Sequence, residues 1–170
     1  IPLRPRQPVS RPGDIFQLGP HRIACGDARD TALLKQLRQD LMASAAFIDP
    51  PYNIPIAGFV SGKGRHKHSE FIEGSGEMPE AGFYQLLLDA SSVLIAHCRP
   101  SALLYLFMDW RSVVLPLVAA RQLQMQLINI CIWVKSNGGM GGLYRNQHEM
   151  VAVFKAGSEP HQNNVELGRF

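Results

Sequence analysis

Cysteine is scarce in this chain. Three occur in 170 residues and none forms a Cys-x-x-Cys pair, so neither a disulfide framework nor a zinc-ligand pattern is present. Cys98 and Cys131 sit in apolar runs and are expected to be buried thiols. No apolar stretch reaches membrane length and no signal-peptide pattern occurs, which points to a reducing cytoplasm and away from a membrane. Charged residues are only 18% against 46% apolar, a globular and not a disordered composition, with the length of one domain and enough apolar content for a sizeable core. The net charge of +3 and pI near 8.9 permit a polyanionic partner without requiring one. Glycine is plentiful, yet no cluster fits the phosphate-cradling pattern Gly-x-x-x-x-Gly-Lys-Ser/Thr.

The most informative stretch is Asp49-Pro50-Pro51-Tyr52-Asn53, directly after the apolar run Ser44–Ile48. That run has the make-up of a fully buried strand. Two prolines end it, because proline cannot donate to a sheet ladder, and the chain is driven out over the carboxyl edge. In open α/β sheets that edge is where ligands bind. The turn therefore carries a carboxylate (Asp49), a backbone carbonyl (Pro50) and an aromatic ring (Tyr52), with Phe47 expected behind it. Such a set suits an exocyclic amino group on a nucleobase, whose lone pair is delocalised into the ring. Asp49 and the Pro50 carbonyl are two acceptors for its two hydrogens, and stacking on Tyr52 is worth about 1–3 kcal/mol per base. A base inside a duplex has to be flipped out to reach such a site. The plainer alternative is a strand-to-loop turn whose Asp caps a neighbouring amide.

Asp-Pro-Pro-Tyr after a strand resembles the catalytic motif of the S-adenosyl-L-methionine-dependent DNA amino-methyltransferases, which methylate adenine N6 or cytosine N4. Pro12-Gly13-Asp14, Leu18-Gly19-Pro20-His21-Arg22 and Cys25-Gly26-Asp27 are similar to the opening of the circularly permuted branch, which places the catalytic half first. Cys131-Ile132-Trp133-Val134-Lys135, Gly138-Gly139-Met140-Gly141, Tyr144-Arg145 and His148-Glu149 look like later parts of that branch. The resemblance runs from about Gly13 to the end and is nearest the phage and plasmid enzymes that often follow a ParB-like domain.

It implies catalytic roles for Asp49, Pro50, Pro51 and Tyr52, and cofactor contacts from Asp27, Asp49 and Asn53, with no metal. It also implies S-adenosylmethionine as cofactor and double-stranded DNA as partner, and leaves a homodimer open. The implied fold is a partial Rossmann-like α/β sheet, mostly parallel, with an antiparallel C-terminal hairpin. The family's Phe-x-Gly-x-Gly turn, two central strands and target recognition region are missing. Residues 13–170 thus read as a catalytic half, inactive by itself, after a Pro/Arg-rich linker at 1–12. RNA or protein-amide methylation by the same fold, or a non-catalytic DNA-binding module, are the alternatives; Asp rather than Asn at position 49 disfavours a protein amide.

The remaining expectations follow chain order. His21 to Cys25 reads as a strand, and Asp27 after it either contacts cofactor or caps the next helix. That helix places Leu33, Leu34, Leu37 and Leu41 on one face, with Lys35, Arg38 and Gln39 towards solvent. Residues 54–78 lack apolar periodicity, and long segments of this kind are functional or disordered. There Lys63, Arg65, His66, Lys67 and His68 form the most basic patch, suited to DNA phosphates or simply to solvent. Pro79 suits the first position of a helix bearing Phe83, Leu86, Leu87, Ala90, Leu94 and His97, with His97 a hydrogen-bonded core histidine. Ser101–Met108 is a buried strand, and Asp109 caps a helix kinked at Pro116. Gln126–Val134 and Met150–Phe154 should pair antiparallel, because the loop between them is too short for a crossover. Lys135 and Ser136 follow a strand end on the same edge, while Tyr144, Arg145 and His148 resemble the family segment that lines the flipped-base pocket; a simple hairpin role is the alternative for each, and Lys135 and Arg145 are candidates for DNA contact.

Overall fold

The computed structural model describes residues 7–55, 70–138 and 143–163. The basic patch Lys63, Arg65, His66, Lys67 and His68 lies outside the described residues, as do 139–142 and the first six positions of the linker.

Ile15–Leu18 (β1) and His21–Ala24 (β2) form an antiparallel hairpin. Its turn is Gly19-Pro20, where glycine takes φ +58, a left-handed value that costs it little. Thr31–Arg38 is helix α1. Asp30 caps it, the carboxylate accepting from the amides of Ala32 and Leu33 at 2.9 and 3.0 Å. Ala43–Ile48 (β3) follows, then Glu80–Ala96 (α2), Cys98–Met108 (β4), Val114–Gln122 (α3), Gln126–Val134 (β5) and His148–Lys155 (β6).

The four later strands make one sheet in the order β3-β4-β6-β5. The β3–β4 pair is parallel, joined through α2, whereas β4–β6 and β5–β6 are antiparallel. The sheet is thus mixed: it has the predicted parallel pair and C-terminal hairpin, but parallel pairing is not in the majority among the described strands. The reason is β6, which lies between β4 and β5 and runs opposite to both. The predicted strand at 21–25 also lies outside this sheet, paired instead with Ile15–Leu18, a strand not foreseen.

Alternation along β4 decides the core. Ala102, Leu104, Leu106 and Met108 are each at most 2% exposed, since side chains of period two share a face. Leu104, Leu106 and Met108, with Ala152 and Phe154 of β6, pack against Phe83, Leu86 and Leu87 of α2 and Leu115 and Ala120 of α3. The opposite face carries Phe47, Tyr105 and Phe107. Phe47 is 74% exposed and its ring stacks on Tyr105 with centroids 4.8 Å apart. It therefore does not stand behind Tyr52, whose ring packs against the helix-side core.

Other details depart from expectation. α1 ends at Arg38, so Leu41 is left exposed. Arg38 turns inward, its Nε donating to His97 Nδ1 at 2.8 Å. Cys98 is buried as expected, but Cys131 is exposed, because β5 is an edge strand whose residues are exposed along its length. α3 begins only at Val114, which puts Pro116 in the first turn, where its missing N–H is harmless. Among the described residues no helix is long and apolar enough to cross a membrane.

Candidate active site

β3 ends at Ile48 and delivers Asp49 to the carboxyl edge beside β4, at the end of the parallel pair. Asp49 is exposed, while Pro50, Pro51, Tyr52 and Asn53 are partly buried. The turn is held from behind by the segment just before α2. Asn53 adopts φ +55, and its amide Nδ2 donates to the Met78 carbonyl at 2.8 Å. Its Oδ1 accepts from the amides of Gly76 and Met78 at 3.0 and 3.3 Å. Gly74 and Gly76 lie against the proline rings. A Cβ on Gly74 would fall 2.8 Å from Pro51 Cγ, and one on Gly76 would fall 2.6 Å from Pro55 Cδ. Both also have positive φ, +76 and +97. Only glycine meets both demands, so these residues form a clamp that fixes the turn.

The Tyr52 hydroxyl lies 2.9 Å from Asp49 Oδ1 and 3.1 Å from Glu149 Oε2. Burial, then the bond to the Asp49 carboxylate and the two negative charges, push this phenol well above its ordinary range. Glu149 in turn is ion-paired through its other oxygen with the Lys135 ammonium. Lys135 closes the β5–β6 hairpin: its amide donates to the Gln147 carbonyl at 2.7 Å, and Gln147 Nε2 donates back to its carbonyl at 2.9 Å. Asp49, Tyr52, Glu149 and Lys135 thus form one chain of contacts across three elements. Glu149 carried no assigned role in the sequence, and nothing short of the antiparallel register would have placed it within reach of Tyr52.

The other expected residues are distributed differently. Asp27 does not cap α1; Asp30 does. The Asp27 carboxylate accepts from the backbone amide, Nε and Nη2 of Arg29 at 2.6 to 3.1 Å, which holds its pKa below the usual carboxylate value. Arg29 also reaches Glu73 at 2.7 Å, tying the hairpin region to the segment behind the Pro-Pro turn. Arg145 and Tyr144 are exposed, Tyr144 at 83%. Lys135 keeps about two-fifths of its side chain in solvent (41%) while paired to Glu149.

For S-adenosylmethionine, the fit of these residues is partial. Asp49 is exposed with lone pairs to offer, and Asp27 is half-exposed though engaged by Arg29. Asn53 has its carbonyl oxygen and one amide hydrogen committed to the clamp. The described residues present acceptors at the carboxyl edge and not a cradle for the whole cofactor. They hold no group of three or more His, Cys, Asp or Glu arranged to take a metal ion.

No family model matches the chain, and no curated protein matches it. Among solved structures it is similar to the crystal structure of the M1.HpyAVI–SAM complex, at 15% identity and a TM-score of 0.45, with 81% of this chain and 59% of that one covered. The chain thus spans less than two thirds of that structure's length.

Proposed function

We propose that this chain carries the target-base side of an S-adenosylmethionine-dependent DNA amino-methyltransferase acting on adenine N6 or cytosine N4. The observation that carries it is the exposed Asp49 at the end of a parallel strand, on a Pro-Pro turn locked from behind by Asn53, Gly74 and Gly76. Rigid placement of an acceptor where charge develops is what such a reaction needs.

Asp49 and the Pro50 carbonyl accept the two amino hydrogens and draw the nitrogen from planar towards tetrahedral, which localises its lone pair. The exposed side of the Tyr52 ring bears on the flipped base. The cofactor, when bound, supplies a methyl group on a sulfonium, whose C–S bond breaks as the N–C bond forms. Asp49 then lies next to the proton that the methylated nitrogen must lose. Lys63, Arg65, His66, Lys67, His68, Lys135 and Arg145 are the cations assigned to duplex phosphates, an attraction that weakens as salt rises. The adenosine end of the cofactor is assigned to Asp27. Residues 13–170 are proposed as the catalytic half of a longer enzyme.

The test is tritiated-methyl transfer to plasmid or phage DNA by the protein in its full natural length. Asp49→Ala should lower transfer by about a hundredfold or more while cofactor binding stays within about twofold, since the exposed carboxylate contributes little to uniform binding. Transfer that survives the substitution would sink the proposal. A second reading, a DNA-binding module without catalysis, is favoured by one observation: the Tyr52 hydroxyl and the clamp already engage Asp49 and Asn53. It requires DNA binding that is unchanged by Asp49→Ala and indifferent to cofactor.

A further inference from the structure

Tyr52 has one hydroxyl hydrogen and two carboxylate oxygens within bonding distance, Asp49 Oδ1 at 2.9 Å and Glu149 Oε2 at 3.1 Å. A phenol donates once, and an ionised carboxylate only accepts, so the two acids compete for the same hydrogen. While Asp49 holds it, one of the lone pairs needed for a substrate amino group is taken. We propose that Glu149 is a positioning residue that acts through Tyr52: it takes over the hydroxyl hydrogen and so releases the Asp49 carboxylate for substrate.

Glu149 is built for that exchange. It projects from β6, paired in register with Trp133 of β5, and its side chain is about one-fifth exposed (21%). Its second oxygen is held by Lys135, which is itself pinned to Gln147 by two hydrogen bonds at the mouth of the hairpin. The ion pair engages Glu149 on its far side, which leaves the hydroxyl two acceptors within reach. Tyr52 is partly buried, which limits water as a third. The charged groups around the hydroxyl are Asp49 after β3, Glu149 on β6 and Lys135 at the end of β5. An amino hydrogen arriving at Asp49 displaces the hydroxyl towards Glu149, so the exchange costs no broken bond. The arrangement also keeps the Asp49 carboxylate bonded, and in its final position, when no base is present.

The identity of the arriving group rests on the methyl-transfer reading; the exchange itself does not. Two measurements on the full-length protein separate them. In methyl transfer, Glu149→Gln should lower kcat by about tenfold, with KM for DNA and cofactor within about twofold; Lys135→Met should lower kcat as well, with a rise in KM for DNA from the lost phosphate contact. A glutamine presents an amide that donates to Tyr52 and traps its hydrogen on Asp49. In a Tyr52→Phe background, Glu149→Gln should cost nothing more, because the hydrogen it controls is gone. Fully additive losses, or a rise in KM alone, would overturn the proposal. Should the wild type transfer no methyl group, the reading of function fails and the exchange is judged on isotope-labelled tyrosine followed by NMR. Glu149→Gln should then bring the ionisation of Tyr52 down and displace its resonance at neutral pH, with a smaller displacement in Lys135→Met. A Tyr52 signal indifferent to both also overturns it.

Discussion

The two faces of the four-stranded sheet are made from the same strands and behave as different materials. On the helix side, Leu104, Leu106, Met108, Ala152 and Phe154 are sealed by α2 and α3 to 2% exposure or less. On the other side, Phe47 is 74% and Trp133 59% exposed, although Val151 and Val153 between them are buried. Asp49 and Tyr52 stand where these faces meet the carboxyl edge. The ring of Tyr52 belongs to the sealed side, and Phe47, five residues earlier, to the open one. A rigid backing on one side and an accessible edge on the other is what lets a single turn hold an acceptor firmly and still present it.

The widest contrast should come from two phenylalanines. Phe154→Ala removes a side chain 1% exposed, and large-to-small changes at such sites cost about 3–5 kcal/mol. Phe47→Ser removes one that is mostly in solvent, losing little beyond its stack on Tyr105, worth about 0.5–1.5 kcal/mol. Denaturant unfolding of both variants measures this directly. Equal losses would mean that the second face is also sealed in the folded protein, and the contrast would break.

A middle-sized effect belongs to the clamp. Gly74→Ala sets a methyl 2.8 Å from Pro51 Cγ at φ +76, a backbone state costing a substituted residue about 1–3 kcal/mol. Stability should fall by that amount, and the strain should appear as displacement of Asp49 because Pro51 is its near neighbour. Thermal unfolding gives the first quantity. Loss of the Tyr52–Asp49 contact, read by tyrosine NMR, gives the second. Gly82→Ala is the control: its added Cβ meets only ordinary contacts at 3.7 Å or more.

What the sequence disclosed and what it hid divide along physical lines. Apolar spacing exposed α2, an apolar run exposed β4, and a loop too short for a crossover gave the antiparallel pairing of β5 with β6. The Pro-Pro turn disclosed the end of β3 through backbone chemistry alone. Ile15–Leu18 was missed; its pairing with His21–Ala24 is what shows it as a strand. The clamp was hidden because Asn53 and Met78 are 25 residues apart, and a left-handed Asn leaves no mark in composition. Cys131 was misjudged for a related reason: an apolar run says that a strand forms, but edge or centre is decided by which strand inserts beside it. Glu149 became visible only through register, which carries it to the Tyr52 hydroxyl.

The smallest effect expected is a pH dependence at the rim of the sealed side, where α2 ends on His97 and β4 begins. Because Arg38 Nε donates to His97 Nδ1, that nitrogen is bare and the ring proton sits on Nε2, which has no partner among the described residues. Burial first, and then the Arg38 charge, hold the imidazole below its ordinary value of 6.5. The unfolded chain therefore binds a proton that the folded one refuses. Stability contributed by the neutral ring is complete above about pH 6.5, declines as pH falls below it, and levels off once the folded histidine is also protonated. His97→Gln keeps an acceptor for Arg38 and removes the titration, so unfolding free energies measured from pH 7.5 down to 5 should lose less than those of the wild type. An identical decline in both proteins would show that the Arg38–His97 contact opens freely, and that the sealed face does not extend to the end of α2.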